Sequence, residues 1–365
     1  MSVYAFKSPS RYVQGERVLD TLGKEVEILG SKAFIISDEV VWNILSEKVE
    51  NSFTSSKADF VYEIFHGESS VKEIERLAEV ANAKNGDVVV ALGGGKAIDT
   101  AKALADEIHT PVVIAPTIAS TDAPASALSV IYSEDGTFES YRFYHKNPDL
   151  VLVDTEVVVN APAHLFASGM ADALATCVEA SATLQSNGDN MAGGKSTMTA
   201  QAIARACEEI LFTEGVQAFA AVKEKVITTA VDHIVEANTL MSGIGFENGG
   251  LAGAHAVHNG FTALSGEIHD LTHGAKVAYG TLVQLVLENR PLEEIGKFIN
   301  FYQAIGMPTT LKEMKLDNTD YSDLLKVGEL ANDSGDTMGN LSRAVSAKNI
   351  ADAIIAVDAI SNNIV

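Results

Sequence analysis

The sequence of 365 residues holds nine histidines and no HExxH pair. Four of them stand in two neighbouring segments: His255 and His258 within Gly249 to Leu264, His269 and His273 within Gly266 to Gly280. A third segment, Ser168-Gly169-Met170-Ala171-Asp172-Ala173-Leu174-Ala175-Thr176, has helical periodicity, with Met170, Leu174, Cys177 and Val178 on one apolar face. Asp172, Thr176 and Glu179 fall on another stripe, placed to face a cleft. One carboxylate and two imidazoles from three helices make a three-ligand site with open positions, the arrangement of a catalytic zinc. A single helical histidine is more often a core or surface residue. Spacing alone does not select which of the four take part.

A second kind of chemistry is offered by Leu92-Gly93-Gly94-Gly95-Lys96, which follows an apolar run and opens a helical stretch, Ala97 to Ile108. Glycines let a backbone approach a pyrophosphate, and free amides at a helix start attract negative charge. Lys96 adds a point charge. The segment is neither a Walker A loop nor GxGxxG, so a tight, closely packed turn is the competing reading. Asp38 sits just after an apolar run ending at Ser37. A carboxylate there can accept from a ribose 2′-hydroxyl and repel a 2′-phosphate, although it precedes the glycine turn instead of following it by about 20 residues. By itself Asp38 reads more simply as a loop acid or helix cap. The third loop, Thr117-Ile118-Ala119-Ser120-Thr121-Asp122-Ala123-Pro124, crowds hydroxyls at another strand end, where a Ser/Thr turn is the plain alternative. Three polar loops at successive strand ends together favour a nucleotide cleft.

These groups need a scaffold. Lys32 to Ser37, Asp87 to Leu92 and Pro111 to Pro116 are short apolar runs suited to strands buried on both faces. Helical stretches lie between them, such as Val71 to Ala83, preceded by Ser70 with Glu73 in capping-box spacing. The alternation predicts right-handed crossovers and a mainly parallel sheet. Leu128 to Tyr132 and Phe138 to Phe143, joined through Glu134-Asp135-Gly136, read as a β-hairpin, and Leu150 to Val153 as a further strand. After about Asn160, Ala-rich segments with helical periodicity take over. The expected organisation is an α/β dinucleotide-binding domain over residues 1–160 and an all-α domain over 161–365, with the active site in the cleft between them.

Composition narrows the function. A formal charge of -23 argues against a nucleic-acid partner, which would need a basic face. The start, MSVYAFKSPSRYVQG, lacks the apolar core of a signal peptide, and no apolar run is long enough to span a bilayer. Two cysteines without CxxC suit a reducing compartment and leave no cysteine-based zinc site. A cytoplasmic protein is expected.

The sequence resembles the glycerol dehydrogenases of the iron-containing alcohol dehydrogenase superfamily over almost its whole length. The resemblance is carried by YVQG, GGGKAIDTAKALAD, APTIASTDAPASALSVIY, NPDLVLVDT, SGMADALAT, MAGGK, ANTLMSGIGFENGGLAGAHAVHNGFTAL and HGAKVAYGTLVQLVLE, in that order. It implies that Asp172, His255 and His273 ligate a metal and that Asp122 meets a polyol substrate. It implies further that Asp38, Gly94, Gly95, Lys96, Thr117, Ser120, Ser126, Leu128 and Tyr132 line an NAD site. His258 becomes a candidate proton relay, and His269 is not a ligand. Iron-using relatives carry a histidine four residues after the metal aspartate, where this chain has Thr176, so the resemblance implies zinc. Position 177 is Cys where close relatives carry Trp.

The activity so implied is oxidation of a secondary alcohol, glycerol or a related vicinal diol, by hydride transfer from a zinc-bound alkoxide to NAD. Enzymes resembling dehydroquinate synthase or glycerol-1-phosphate dehydrogenase share the architecture. Their substrates demand several basic groups, and the metal segments offer Lys276 alone. The resemblance also implies a homo-oligomer, a ring-like octamer.

Overall fold

The computed structural model describes residues 2–134 and 136–363. Six strands form one parallel sheet: β1 (Tyr12–Gly15), β2 (Lys32–Ser37), β3 (Asp59–Ile64), β4 (Val88–Gly93), β5 (Val112–Pro116) and, beyond the hairpin strands β6 (Leu128–Tyr132) and β7 (Phe138–Phe143), β8 (Leu150–Asp154). Their order is β1-β8-β5-β4-β2-β3, and β6 and β7 pair antiparallel as a separate ribbon. The parallel strands bury both faces, as their unbroken apolar runs require. Phe34, Val89, Ile114 and Val151 pack toward one cluster, while their neighbours Ile35, Val90, Val113 and Leu152 pack toward another. That is the two-residue period of a strand read twice over.

The crossovers are helical: α1 (Leu22–Leu29), α2 (Glu39–Phe53), α3 (Val71–Ala83) and α4 (Gly95–Glu107). The capping box expected at α3 is half made. Ser70 accepts from the Glu73 amide, but the Glu73 carboxylate turns to the His66 amide and to Arg76. A guanidinium in reach outcompetes a single backbone amide. The strand expected from Asp87 runs one residue further along, to Gly93, because Gly93 pairs with Pro116 on β5. The helix expected from Ala97 begins at Gly95, two residues earlier, with Gly94 as its N-cap.

After Asp154 the described elements are all helices, apart from an isolated bridge between Tyr4 and Lys195. In chain order they include α5 (Thr155–Asn160), α6 (Ala163–Gln185), α7 (Met198–Lys223), α8 (Thr229–Glu236), α9 (Ser242–Gly249), α10 (Gly253–Gly260) and α11 (His273–Leu287). A wide π-helical turn, Ala237–Met241, joins α8 to α9. The cluster on one sheet face continues without a break into Phe166, Met170 and Leu174 of α6 and Tyr279 of α11. The sheet and the helices thus share a core, which fixes the strand ends against α6. Among the described residues no helix is long and apolar enough to cross a membrane.

Candidate active site

The loop after β5 lies against the helical layer. Gly169 makes that contact possible, and Gly274 lets α11 close on α6 beside it. A Cβ on Gly169 would stand 1.9 Å from the Ala119 carbonyl oxygen, and one on Gly274 would stand 1.8 Å from the Ser168 carbonyl oxygen. Only glycine permits backbones so close. Polar pairs then fasten the loop. Asn238, on the π-helical turn, donates to the Ala119 carbonyl at 3.0 Å, and Ser168 donates to the Ser120 carbonyl at 3.2 Å. The Asp122 amide donates to Asp172 Oδ2 at 3.2 Å, and Ser242 Oγ donates to Asp122 Oδ2 at 3.0 Å.

Asp172, from the middle of α6, is fully buried. His255 of α10 and His273, the first residue of α11, aim their Nε2 atoms at its Oδ1, at 3.5 and 3.2 Å. One donor atom from each residue falls within 4.8 Å of the others. Burial raises the Asp172 carboxyl, but the imidazoles of His273 and His255 outweigh it and hold it well below the usual carboxylate range. Even so, Oδ1 has no hydrogen bond of acceptable geometry. A buried carboxylate oxygen without a donor is costly. Its fit is to a cation shared with the two imidazoles.

Glu179 explains how His255 is held. Its Oε2 lies 2.6 Å from His255 Nδ1, and its Oε1 accepts from the amides of Ala252 and His255 at 2.9 and 3.0 Å. An Nδ1–H donated to this carboxylate leaves the lone pair on Nε2, the atom that faces Asp172. Burial works against protonation of His255, but Glu179 and Asp172 raise its pKa well above the ordinary value. The pocket favours positive charge.

The remaining candidates sort by position. Asp122 is buried, and its pKa is raised by that burial and by Asp172. His258 has its ring centroid 4.3 Å from that of His273, and its Nδ1 lies 3.1 Å from Asn259 Oδ1. Burial, then the cations around it, push its pKa well below the usual value. His269 is turned away, its Nε2 2.6 Å from the Leu264 carbonyl. Thr176 shares its hydroxyl with Ser242 at 2.8 Å and carries no ring nitrogen to the centre. Cys177 faces Glu208 instead, its thiol pushed up to about 12 by burial and that carboxylate.

The nucleotide candidates lie at adjoining strand ends. Asp38 follows β2, Gly94 and Gly95 follow β4, and Thr117 to Ser120 follow β5, in the sheet order that makes these neighbours. The Thr117 amide donates to the Gly93 carbonyl at 3.1 Å, which ties two of the loops together. Asp38 caps α2, accepting from the Val41 amide at 2.9 Å, so the simpler reading of this residue holds in the structure. Ser126 and Leu128 are anchored by buried Lys102, which donates to Ser126 Oγ at 3.4 Å and to the Leu128 carbonyl. Tyr132 continues that ribbon, its amide on the Ser69 carbonyl at 2.9 Å. Lys96 is ion-paired with Glu68. Glu179, Ser242, Asn238 and Glu68 were given no role from the sequence. Of these only Glu179 had a local signal, its place on the Asp172 stripe.

A parallel sheet whose strand ends meet three converging metal-type donors is an α/β fold backed by a helical layer that could hold a metal ion. Residues 9–155 match the iron-containing alcohol dehydrogenase family. The chain is 48% identical over 351 residues to a glycerol dehydrogenase of Thermotoga maritima, covering 96% of this chain and 95% of that protein. It is 48% identical over 353 residues to a glycolaldehyde reductase of Halobacterium salinarum, covering 97% and 96%. The solved glycerol dehydrogenase of Schizosaccharomyces pombe superposes with a TM-score of 0.96 at 41% identity, over 99% of this chain and 92% of that one. The chain belongs to the iron-containing alcohol dehydrogenase family.

Proposed function

We propose that this protein oxidises glycerol and related vicinal diols to hydroxyketones, with NAD as the oxidant and zinc as the bound metal. The observation that carries the reading is the convergence of Asp172, His255 and His273 within 4.8 Å, directly beside Asp122. It is supported by the identity to glycerol dehydrogenases. When bound, the zinc ion would supply Lewis-acid polarisation of a substrate hydroxyl and NAD would take up the hydride. Three protein donors of nitrogen and oxygen type, with Thr176 in place of a fourth, favour zinc over iron.

The protein's own groups then have distinct tasks. Glu179 fixes the tautomer and direction of His255. Asp122, braced by Ser242 and by its amide bond to Asp172, accepts from a substrate hydroxyl and selects a diol over a simple alcohol. His258, whose ring lies beside that of His273, receives the hydroxyl proton. Its neighbour Asn259 donates to Asp336 at 2.9 Å, which marks a route towards the surface. The glycine turn at Gly94 and Gly95, with Lys96, receives the diphosphate. Thr117, Ser120, Ser126, Leu128 and Tyr132 wall the rest of the cofactor, and Asp38 takes the adenosine ribose. Residues 1–160 thus serve as the nucleotide unit and 161–365 as the metal unit, in a cytoplasmic homo-oligomer.

The identity to a glycolaldehyde reductase favours a second reading, the reverse reaction on a small hydroxyaldehyde. An activity like that of dehydroquinate synthase or glycerol-1-phosphate dehydrogenase is not favoured by these relatives. NADH absorbance, followed with glycerol and NAD in one cuvette and glycolaldehyde and NADH in another, decides between oxidation and reduction. Faster turnover of glycolaldehyde at matched saturation would install the second reading.

A further inference from the structure

Lys96 stands second in α4, beside the glycine turn, yet its ammonium is engaged. Its partner is Glu68, in the loop that follows β3, 28 residues away in sequence. That loop is not free to swing, since the Ser69 carbonyl accepts from the Tyr132 amide of β6 at 2.9 Å. Gly136 also lies near this carboxylate: a Cβ on it would stand 3.6 Å from Glu68 Oε1. The other carboxylate oxygen, Oε2, is buried without a hydrogen-bond partner. The α4 N-cap, Gly94, offers no side chain to its own helix start. Glu68 therefore brings a negative charge to the place where a diphosphate would meet Lys96 and the helix amides.

We propose that Glu68 is a built-in competitor of the cofactor diphosphate, an affinity-setting residue that neutralises Lys96 in the free protein and repels the diphosphate in the complex. The proposal rests on the assignment of the dinucleotide to the glycine turn. The effect is electrostatic. A diphosphate that takes Lys96 must either displace Glu68 or share the ammonium with it, and both cost affinity. The pair is partly exposed, Lys96 by 53% and Glu68 by 25%, so the penalty is moderate and screened by salt. Looser binding of the reduced cofactor has a use, because release of product limits turnover in many well-evolved enzymes. Glu68 contributes no bond-making step. It sets how firmly the cofactor is held.

The test is the dissociation constant of NADH, measured by fluorescence titration on the full-length, zinc-loaded protein and its E68Q and K96A variants at low and high salt. E68Q should bind NADH about threefold to tenfold more tightly at low salt, with the gain shrinking as salt rises. A misfolded or loosened variant cannot mimic a gain in affinity. K96A should bind more weakly. If K96A weakens binding while E68Q is unchanged or weaker than the parent, Glu68 is no competitor and the proposal falls alone. If K96A leaves the constant unchanged, the diphosphate is not held at the glycine turn and both assignments fall.

Discussion

Glu179 Oε2 lies 2.6 Å from His255 Nδ1, and both residues are buried. The carboxylate sits seven residues along α6 from Asp172, so one helix supplies both a candidate metal ligand and the group that aims another. Removing such an outer partner typically costs about tenfold to a hundredfold in metal affinity. Glu179→Gln keeps the volume and loses the charge. Zinc affinity, measured by competition with a chelating dye, should fall by that factor while the fold persists. An unchanged affinity would leave Glu179 without a part in the centre.

The Asp122 carboxylate is held by Ser242, so its direction is set before a substrate arrives. A hydrogen bond to a charged group contributes about 1.5–3 kcal/mol. Asp122→Ala should therefore lower kcat/KM for 1,2-propanediol by roughly tenfold to a hundredfold. The loss on 2-propanol should be several-fold smaller, because that alcohol has no second hydroxyl. Ser242→Ala should show the same pattern more weakly. Equal losses on both alcohols would take Asp122 out of diol recognition.

Helix propensity favours alanine over glycine by about 1 kcal/mol. At Gly274, in the first turn of α11, the close Ser168 carbonyl reverses that sign. Gly274→Ala should destabilise the protein by about 3 kcal/mol or more and release the metal, since α11 carries His273. Gly339→Ala is the control, with nothing within 4 Å of its Cβ, and should change stability by less than about 0.5 kcal/mol. Thermal denaturation with metal analysis reads both. A neutral Gly274→Ala would mean that α6 and α11 pack less closely than described.

Asp38 caps α2 and, in the proposed reading, would also repel a 2′-phosphate. Asp38→Asn separates the two roles, because asparagine remains a good N-cap while the charge is gone. The ratio of kcat/KM for NAD over NADP should drop about tenfold with little change in melting temperature. An Asp38→Asn protein with unaltered preference would leave the residue as a cap only.

What the sequence made legible was mostly local. The strand runs, the Ser70 cap and the hairpin around Gly136 each declare themselves within a few residues, and the structure has them. The ligand set was not local. Four histidines competed, and only resemblance separated His255 and His273 from His258 and His269. The structure brings the first two to Asp172 and turns His269 onto a carbonyl. The closeness of α6 to the loop after β5, and of α11 to α6, was invisible, because a glycine's sequence does not say which backbone will approach it. The pairing of Lys96 was hidden for the same reason: its partner Glu68 lies on another crossover, and no spacing rule links them.

The central claim is that Asp172, His255 and His273 hold a metal required for NAD-linked diol oxidation. It is tested most directly by NADH formation from glycerol and NAD, followed before chelation, after dialysis against a chelator, and after zinc is returned, with metal content measured at each stage. Activity should accompany about one zinc per chain, vanish with the metal, and return on adding zinc to the parent but not to His273→Ala. Undiminished glycerol oxidation in protein shown to be metal-free would contradict it.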